Sequence, residues 1–227
     1  MKNMKMFSPS FEIFPEPQKN IWAELSEIPK HFVLYGGTAI ALRLNHRQSV
    51  DFDFFTSQPI EADALLCQKF LEGSQIIQQA PNTLTVIVDR NGPVKISFFG
   101  AIGVGKINPP ELTQDGTLLV ASMKDLFAHK LKVLLQRVEV KDYIDIAAML
   151  KSGYSLLQGI SGAKSLWHNL PVMECLRSLC YFEGGDFRKL LDDDRKIIIN
   201  AVKGIKLDQL ESVKLTDSLS DYQPPPA

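Results

Sequence analysis

The sequence predicts an α/β (α+β) fold in which a mixed β-sheet with flanking helices is followed by a helical C-terminal domain. Up to about residue 120, short apolar runs typical of strands alternate with helical patterns, and an Asn-Gly turn between β-branched runs indicates a hairpin. From Ser122 onward, apolar residues recur at helical spacing. We therefore expect an α/β core over residues 1–120, a helical domain over 121–215 and a disordered tail over 216–227.

The elements of the core follow from local apolar patterns and the breakers between them. Pro59 precedes an amphipathic pattern, and Pro93 suits the start of a strand because proline cannot donate to a sheet. Gly36-Gly37 separates the first strand from the first helix. In chain order, the expected elements are a strand over 31–35, a helix over 38–44, a strand over 50–55, a helix over 61–73, and hairpin strands over 83–89 and 94–99.

Two aspartates stand two residues apart in the strand that contains Asp51 and Asp53. Because side chains alternate along a strand, both carboxylates share one face, with Cα atoms about 6.5 Å apart, while Phe52 and Phe54 share the other. Oxygen ligands in this arrangement suit Mg²⁺ bound together with substrate phosphates. The same pattern describes a half-buried strand with a solvated face. The aromatic surroundings favour a metal site, because carboxylates among aromatic rings need a compensating partner.

The junction Gly36-Gly37-Thr38 suits a phosphate. Glycine allows unusual φ values and a close approach of a ligand to the backbone, and the free N–H groups of a helix start favour an anion. The Thr38 hydroxyl is positioned to contact a phosphate or to cap the helix. The alternative is a simple turn from strand to helix.

Strand, Gly-Gly-Thr turn, helix, polar loop and Asp-x-Asp strand together form one compact unit. It resembles the nucleotidyltransferase superfamily that includes DNA polymerase β, and the segment GGTAIALRLNHRQSVDFDFF resembles the AbiEii-type toxin nucleotidyltransferases of type IV toxin–antitoxin (abortive infection) systems. The resemblance implies a nucleotidyltransferase core with an NTP as substrate, in which Asp51 and Asp53 bind Mg²⁺ (or Mn²⁺) and act in catalysis. The nucleotide-binding candidates are Gly36, Gly37 and Thr38, with Arg47 and Ser49 of the polar loop as secondary candidates.

Lys130 interrupts an apolar stripe on the first helix of the second domain. A lysine on such a face either extends its ammonium group to solvent or supplies a cation at the edge of a cleft. Asp142 and Asp145 lie three residues apart on one helical face, and they form either a solvated acidic face, a helix cap or part of a site. The apolar stripe consists of Met123, Phe127, Leu131, Leu134 and Val138.

The resemblance continues in these helices. The run Phe-Ala-His-Lys-Leu, followed by an arginine and by Lys-Asp-Tyr-Ile-Asp-Ile, resembles the motifs with which AbiEii-type enzymes complete their active site by a lysine and an aspartate. It implies catalytic roles for Lys130 and Asp142, with Asp145 and Lys132 as adjacent alternatives. We expect the active site in a cleft between the core and the helical domain.

One position departs from the superfamily pattern. A neighbouring strand often carries a third carboxylate, and this sequence has Ser97 there, which is a poor ligand for Mg²⁺. We expect transfer of a nucleoside monophosphate from an NTP to an acceptor hydroxyl, with release of pyrophosphate. The alternative is a catalytically weakened fold that binds a nucleotide or an antitoxin. A metal-dependent glycosyltransferase also uses Asp-x-Asp, but it does not need the Gly-Gly-Thr turn.

Composition limits the partners and the compartment. A net charge of −1 and a pI near 6.4 give no overall basic surface for nucleic acid, so contact with RNA requires a local patch. The three cysteines argue against a disulfide framework and favour a reducing cytoplasm. No apolar run is long enough to span a membrane, and residues 1–18 lack the apolar core of a signal peptide. The resemblance implies RNA or tRNA as acceptor and a cognate antitoxin as partner.

Overall fold

The computed structural model describes residues 4–220, and these form two compact units. The first unit comprises the chain up to Ser122 together with residues 216–220, and the second comprises Met123–Leu215. The division therefore falls two residues after the boundary expected at 120.

The first unit is built on a sheet whose strands, in chain order, are Met6–Phe7 (β1), Val33–Tyr35 (β2), Phe52–Phe55 (β3), Gln75–Ala80 (β4), Thr83–Asp89 (β5), Pro93–Phe99 (β6), Glu111–Thr113 (β7) and Leu119–Val120 (β8). Within the described residues their order across the sheet is β1-β7-β8-β2-β3-β6-β5-β4. Strand β3 runs antiparallel to β2 and parallel to β6, so the sheet is mixed. The α/β fold class predicted from the sequence is confirmed.

The helices of this unit are Glu16–Trp22 (α1), Gly36–Leu44 (α2) and Ala62–Leu66 (α3), with 3₁₀ turns at Phe11–Ile13, Ala23–Glu27 and Lys69–Leu71. Helix α2 starts at Gly36, directly after β2, and is followed by Asn45 in the left-handed conformation, with φ of 49°. Asparagine tolerates this conformation well, which explains why the helix stops there. The chain then returns through a short loop to β3, beside β2.

The aromatic face of β3 forms the core of the first unit. Phe52 and Phe54 are fully buried, and the Phe54 ring stacks on Phe98 of β6 with centroids 5.5 Å apart. From the N-terminal segment, Phe14 and Trp22 pack against Phe52 at 5.5 and 6.4 Å. Because side chains alternate along the strand, burial of this face directs Asp53 to the opposite face.

The second unit is helical, as expected. Its helices are Met123–Val133 (α4), Val140–Lys151 (α5), Leu156–Leu166 (α6), Val172–Leu179 (α7) and Asp192–Lys203 (α8), with 3₁₀ turns at Phe187–Lys189 and Leu207–Gln209. Helices α4 and α6 meet at Gly159, where an added Cβ would lie 3.0 Å from Leu131 and 3.1 Å from the Phe127 ring. Across residues 4–220, no helix is long and apolar enough to cross a membrane.

Besides β1, α1, β7 and β8, which the sequence did not predict, three features differ from the sequence prediction. The helix expected over 61–73 ends at Leu66, and Gln68 is extended before the 3₁₀ turn that buries Phe70 and Leu71. Strand β4 was not predicted, because all six of its residues are exposed and it carries no alternating apolar signal. Val138 of the apolar stripe is 53% exposed, since it lies in the loop between α4 and α5.

The prediction of a disordered tail is wrong for residues 216–220. Thr216 exchanges two backbone hydrogen bonds with Lys106, at 2.8 and 2.9 Å, and the Leu219 amide donates to the Ser57 hydroxyl at 3.0 Å. Leu219 is 1% exposed. One buried leucine and this backbone pairing order a segment whose composition is polar. The rest of the predicted tail, 221–227, lies outside the described residues.

Candidate active site

Asp51, Asp53, Lys95 and Ser97 share one face of the sheet, which we call the acid face. Asp53 pairs in register with Tyr35 of β2 on one side and with Ser97 of β6 on the other. Asp51 directly precedes β3 rather than lying inside it. Both aspartates are only partly buried, in contrast to the phenylalanines between and beyond them. The two carboxylates thus stand together at a surface that a ligand can reach.

The glycine turn touches one of these carboxylates. Gly36 has φ of +77°, and a Cβ added there would lie 2.9 Å from Oδ2 of Asp53. A glycine is therefore needed at position 36 for two reasons. Its backbone is left-handed, and a Cβ atom there would contact the Asp53 carboxylate. Because α2 begins at this residue, the first N–H groups of the helix have no partners within it.

Thr38 and Ser49 fasten the helix to the loop before β3. The Thr38 hydroxyl donates to the backbone carbonyl of Asp51 and pairs with the Ser49 hydroxyl at 2.8 Å. Both residues are buried, at 1% and 8% exposure, and helix α2 has no side-chain cap. The contacts of Thr38 therefore fix the position of Asp51 relative to the glycine turn. Arg47, in the same loop, donates to the carbonyl of Gln48 at 2.8 Å.

Asp51 forms an ion pair with Lys95 of β6. Lys95 Nζ lies 3.3 Å from Asp51 Oδ2, and the two side chains are 43% and 38% exposed. Such exposed pairs contribute between about 0 and 1 kcal/mol, so the contact is easily exchanged. This lysine was not among the residues selected from the sequence. The signal was present in the strand alternation, which places Lys95 and Ser97 on the same face of β6.

The acid face offers two carboxylates to a metal ion, not three. In register with Asp53 stands the buried Ser97, which is 3% exposed, and residues 4–220 contain no group of three or more His, Cys, Asp or Glu side chains arranged for a metal. Two carboxylates beside the glycine turn fit Mg²⁺ or Mn²⁺, because these ions commonly take their other ligands from phosphate and water.

Lys130 lies in a buried ionic cluster within the second unit, which we call the lysine cluster. Its Nζ is 2.6 Å from Asp142 Oδ1 and 2.8 Å from Asp145 Oδ2. The side chain of Lys130 is 7% exposed, and both aspartate side chains are fully buried. The two solvent-facing alternatives, a lysine extended to water and a solvated acidic face, are therefore wrong. Lys132 is half-buried and is not the lysine in these ion pairs.

Arg137 completes the lysine cluster. Its Nε donates to Asp142 Oδ2 at 3.1 Å and its Nη2 to Oδ1 at 3.4 Å, so that Asp142 accepts from two cations. Two negative and two positive groups thus balance, which buried charges require. The sequence contained Arg137 in the recognised motif, but nothing in the spacing showed that it would reach Asp142 from the loop before α5.

Most of the chain matches one protein family. A model described as nucleotidyl transferase AbiEii toxin, type IV TA system, matches residues 21–208. An uncharacterized protein of Aquifex aeolicus (strain VF5) is 32% identical over 156 residues, which cover 67% of this chain and 74% of that protein.

Two solved structures are similar to the chain. A crystal structure of an H. pylori protein named as a candidate nucleotidyltransferase has a TM-score of 0.55 at 16% identity, covering 86% of this chain and 96% of the other. MenT4, a nucleotidyltransferase toxin from Mycobacterium tuberculosis H37Rv, has a TM-score of 0.56 at 15% identity, covering 84% and 83%. At these identities the likeness concerns the fold.

Proposed function

The chain belongs to the AbiEii family of nucleotidyl transferase toxins of type IV toxin–antitoxin systems, and we propose that its acid face carries out the transfer. The family makes the protein a nucleotidyltransferase toxin. We propose further that it moves a nucleoside monophosphate from an NTP to a hydroxyl group of RNA, with tRNA as the first candidate, and that a divalent ion assists.

In the proposed reaction an oxygen of the acceptor forms a bond to the α-phosphorus of the NTP. The bond from that phosphorus to the oxygen bridging to the β-phosphate breaks, pyrophosphate leaves, and the hydroxyl proton passes to water. Such transfers depend mainly on positioning and on electrostatic stabilisation of the phosphates. The chain therefore needs a place for the triphosphate, carboxylates for a cation and a fixed geometry between them.

The observation that carries the proposal is the contact between Gly36 and Asp53. A turn whose backbone N–H groups suit phosphate lies within 2.9 Å, measured from a Cβ built on Gly36, of a carboxylate that suits a divalent ion. A nucleotide binds together with a divalent ion that contacts its phosphates, so the phosphate site and the cation site must adjoin each other. When bound to Asp51 and Asp53, Mg²⁺ or Mn²⁺ would neutralise phosphate charge.

The other residues take roles that follow from their contacts. Gly36 and Gly37 offer backbone N–H groups to the phosphates, and Thr38 and Ser49 hold Asp51 in place through their hydrogen bonds. Arg47, in the loop before β3, is proposed to contact the nucleotide.

Catalytic roles for Lys130 and Asp142 stay predictions. Within the second unit both residues form ion pairs in the lysine cluster, together with Asp145 and Arg137. Their contacts support a role in holding α4 to α5, and the transfer rate of folded Lys130→Met tests a direct role in the reaction.

Two partners follow from the family. Type IV toxin–antitoxin systems pair a toxin with an antitoxin, and we propose a cognate antitoxin for this chain on that basis. The RNA acceptor is supported by the sequence resemblance. A net charge of −1 means that any RNA contact relies on a local basic patch and weakens with added salt.

The proposal is tested by incubating the protein with each α-labelled NTP, Mg²⁺ and total RNA, and by repeating the reaction with Asp53→Ala. Label on RNA that is lost in the variant supports the proposal. Tight NTP binding without transfer to any acceptor would instead support a nucleotide-binding module, the alternative that Ser97 favours.

A further inference from the structure

One residue of the acid face, Lys95, carries a positive charge. In the parallel pairing of β3 with β6, Asp53 stands beside Ser97. Just before the paired residues, Asp51 contacts Lys95 through an ion pair. The position that would extend the carboxylate pair across the sheet is thus occupied by an ammonium group, 3.3 Å from Asp51. The face carries two negative charges and one positive charge.

This arrangement disfavours a second divalent ion. Two-metal sites place their ions about 3.5–4 Å apart and hold both with shared and additional carboxylates. Here Ser97 adds no charge, and the Lys95 ammonium repels any cation near Asp51 on the side of β6. One divalent ion, by contrast, is compatible with two carboxylates and a lysine that turns towards substrate.

The Lys95 side chain can move from Asp51 towards a bound substrate. Its side chain is 43% exposed and has one carboxylate contact within salt-bridge distance among the described residues, whereas Lys130 is held by two buried carboxylates at 2.6 and 2.8 Å. Moving the Lys95 ammonium from Asp51 to a phosphate oxygen exchanges an exposed ion pair for a charge-assisted contact with the phosphate. The lysine stem is long and flexible, which suits a point charge that follows its ligand.

We propose that Lys95 supplies, beside Asp51, the positive charge that a second divalent ion provides in two-metal sites, and that the acid face therefore takes one divalent ion per chain. The inference rests on the proposed function, because it assigns Lys95 to the nucleotide phosphates of that reaction. Lys95 binds substrate and is in this sense a catalytic residue.

The first test compares the rates of transfer of Lys95→Met and Lys95→Arg with the wild-type rate. Loss of the charge is expected to lower the rate by about 10²-fold or more, as for other groups that stabilise developing charge, and arginine is expected to restore part of it. Lys19→Met is the control, because Lys19 is exposed on α1, the helix whose Trp22 packs on the opposite face of the sheet. Unchanged rates for Lys95→Met would overturn the inference.

The second test counts metal ions without turnover. Mn²⁺ bound to the full chain is measured by electron paramagnetic resonance, for the wild type and for Lys95→Glu, which places a third carboxylate beside Asp51. The inference expects one Mn²⁺ per wild-type chain and two per Lys95→Glu chain. Two ions on the wild type, or one on Lys95→Glu, would overturn it.

The two hypotheses fail differently. Transfer that requires Asp53 but ignores Lys95 leaves the proposed function standing and removes the inference. Absence of transfer with every NTP removes the proposed function, and the Mn²⁺ count still decides how many ions the face binds.

Discussion

Gly36 combines a left-handed backbone conformation with a position beside the Asp53 carboxylate. Substitution by alanine adds a methyl group 2.9 Å from the Asp53 carboxylate and strains a φ of +77°, so both the turn and the carboxylate must shift. Gly116 has nearly the same φ, +76°, and nothing within 4 Å of an added Cβ. Comparison of alanine substitutions at the two glycines therefore separates the effect of backbone strain from the effect of the contact with Asp53.

We expect Gly36→Ala and Gly116→Ala each to lose about 1–2 kcal/mol of stability from the left-handed backbone alone. Gly36→Ala should in addition lose nucleotide transfer by about tenfold or more, because a displacement near 1 Å in a reacting site has effects of this size or larger. Urea unfolding and the transfer assay on both variants check this. Equal transfer rates for the two variants would contradict the contact that carries the proposal.

His129 makes the second unit sensitive to acid. Its ring packs edge-on against Trp167 with centroids 4.9 Å apart, and burial lowers the pKa of the imidazole from 6.5 to about 4. In the unfolded chain the imidazole is therefore protonated below about pH 6.5. In the folded chain it stays neutral down to about pH 4. Stability is lost as the pH falls through this window.

From these pKa values, His129 should lower the free energy of unfolding by about 2 kcal/mol between pH 8 and pH 5. His129→Leu should abolish this part of the pH dependence of the free energy of unfolding. The part that comes from the titration of carboxylates should remain. Urea titrations of both proteins at the two pH values measure the difference. An identical pH dependence in the variant would contradict the account of His129.

At the scale of elements, the lysine cluster fastens α4 to α5. Removing Lys130 takes the ammonium group away from two fully buried carboxylates, and Arg137, which pairs with Asp142, is itself 45% exposed. Lys130→Met should therefore destabilise the protein by about 3–5 kcal/mol. Lys141→Met, on α5, removes an exposed pair with Glu139 and should cost less than about 1 kcal/mol.

The same variant decides the predicted catalytic role of Lys130. Transfer is measured under conditions in which Lys130→Met is still folded by circular dichroism, and the rate is expressed per folded molecule. A rate near that of Lys141→Met assigns Lys130 to stability alone. A rate that is lower by about 10²-fold assigns it to the reaction as well.

The elements differ in how well the sequence predicts them. The glycine turn and the Asp-x-Asp strand were predictable because the eighteen residues from Gly36 to Asp53 contain both the periodicity and the breakers. The burial of Lys130 was not, because it depends on two aspartates of another helix and on Arg137 in the loop before it. Strand β4 is held by its pairing with β5 and buries no face of its own, so it has no pattern to detect.

At the scale of the whole molecule, the chain leaves the first unit at Ser122 and returns to it at Thr216. The returning segment pairs with Lys106 and buries Leu219, and the Lys106 ammonium donates to the Ser218 carbonyl at 2.5 Å. Composition suggested a tail because only one apolar side chain in residues 216–220 does the packing.

Leu219→Ala should cost about 2 kcal/mol or more, as expected for a buried leucine. Leu207→Ala, at a leucine that is 42% exposed, should cost less than about 1 kcal/mol. Both values come from urea unfolding at fixed pH. A cost for Leu219→Ala no larger than that for Leu207→Ala would contradict the packing of this segment on the first unit.

The roles assigned to these residues all depend on nucleotide transfer at the acid face. The most direct test measures pyrophosphate release and label on RNA together, for the wild type, for Asp53→Asn and for Asp63→Asn, an exposed aspartate of α3. The account predicts one pyrophosphate per label for the wild type and for Asp63→Asn, and a rate lower by about 10²-fold or more for Asp53→Asn. Transfer by Asp53→Asn at the wild-type rate would contradict it.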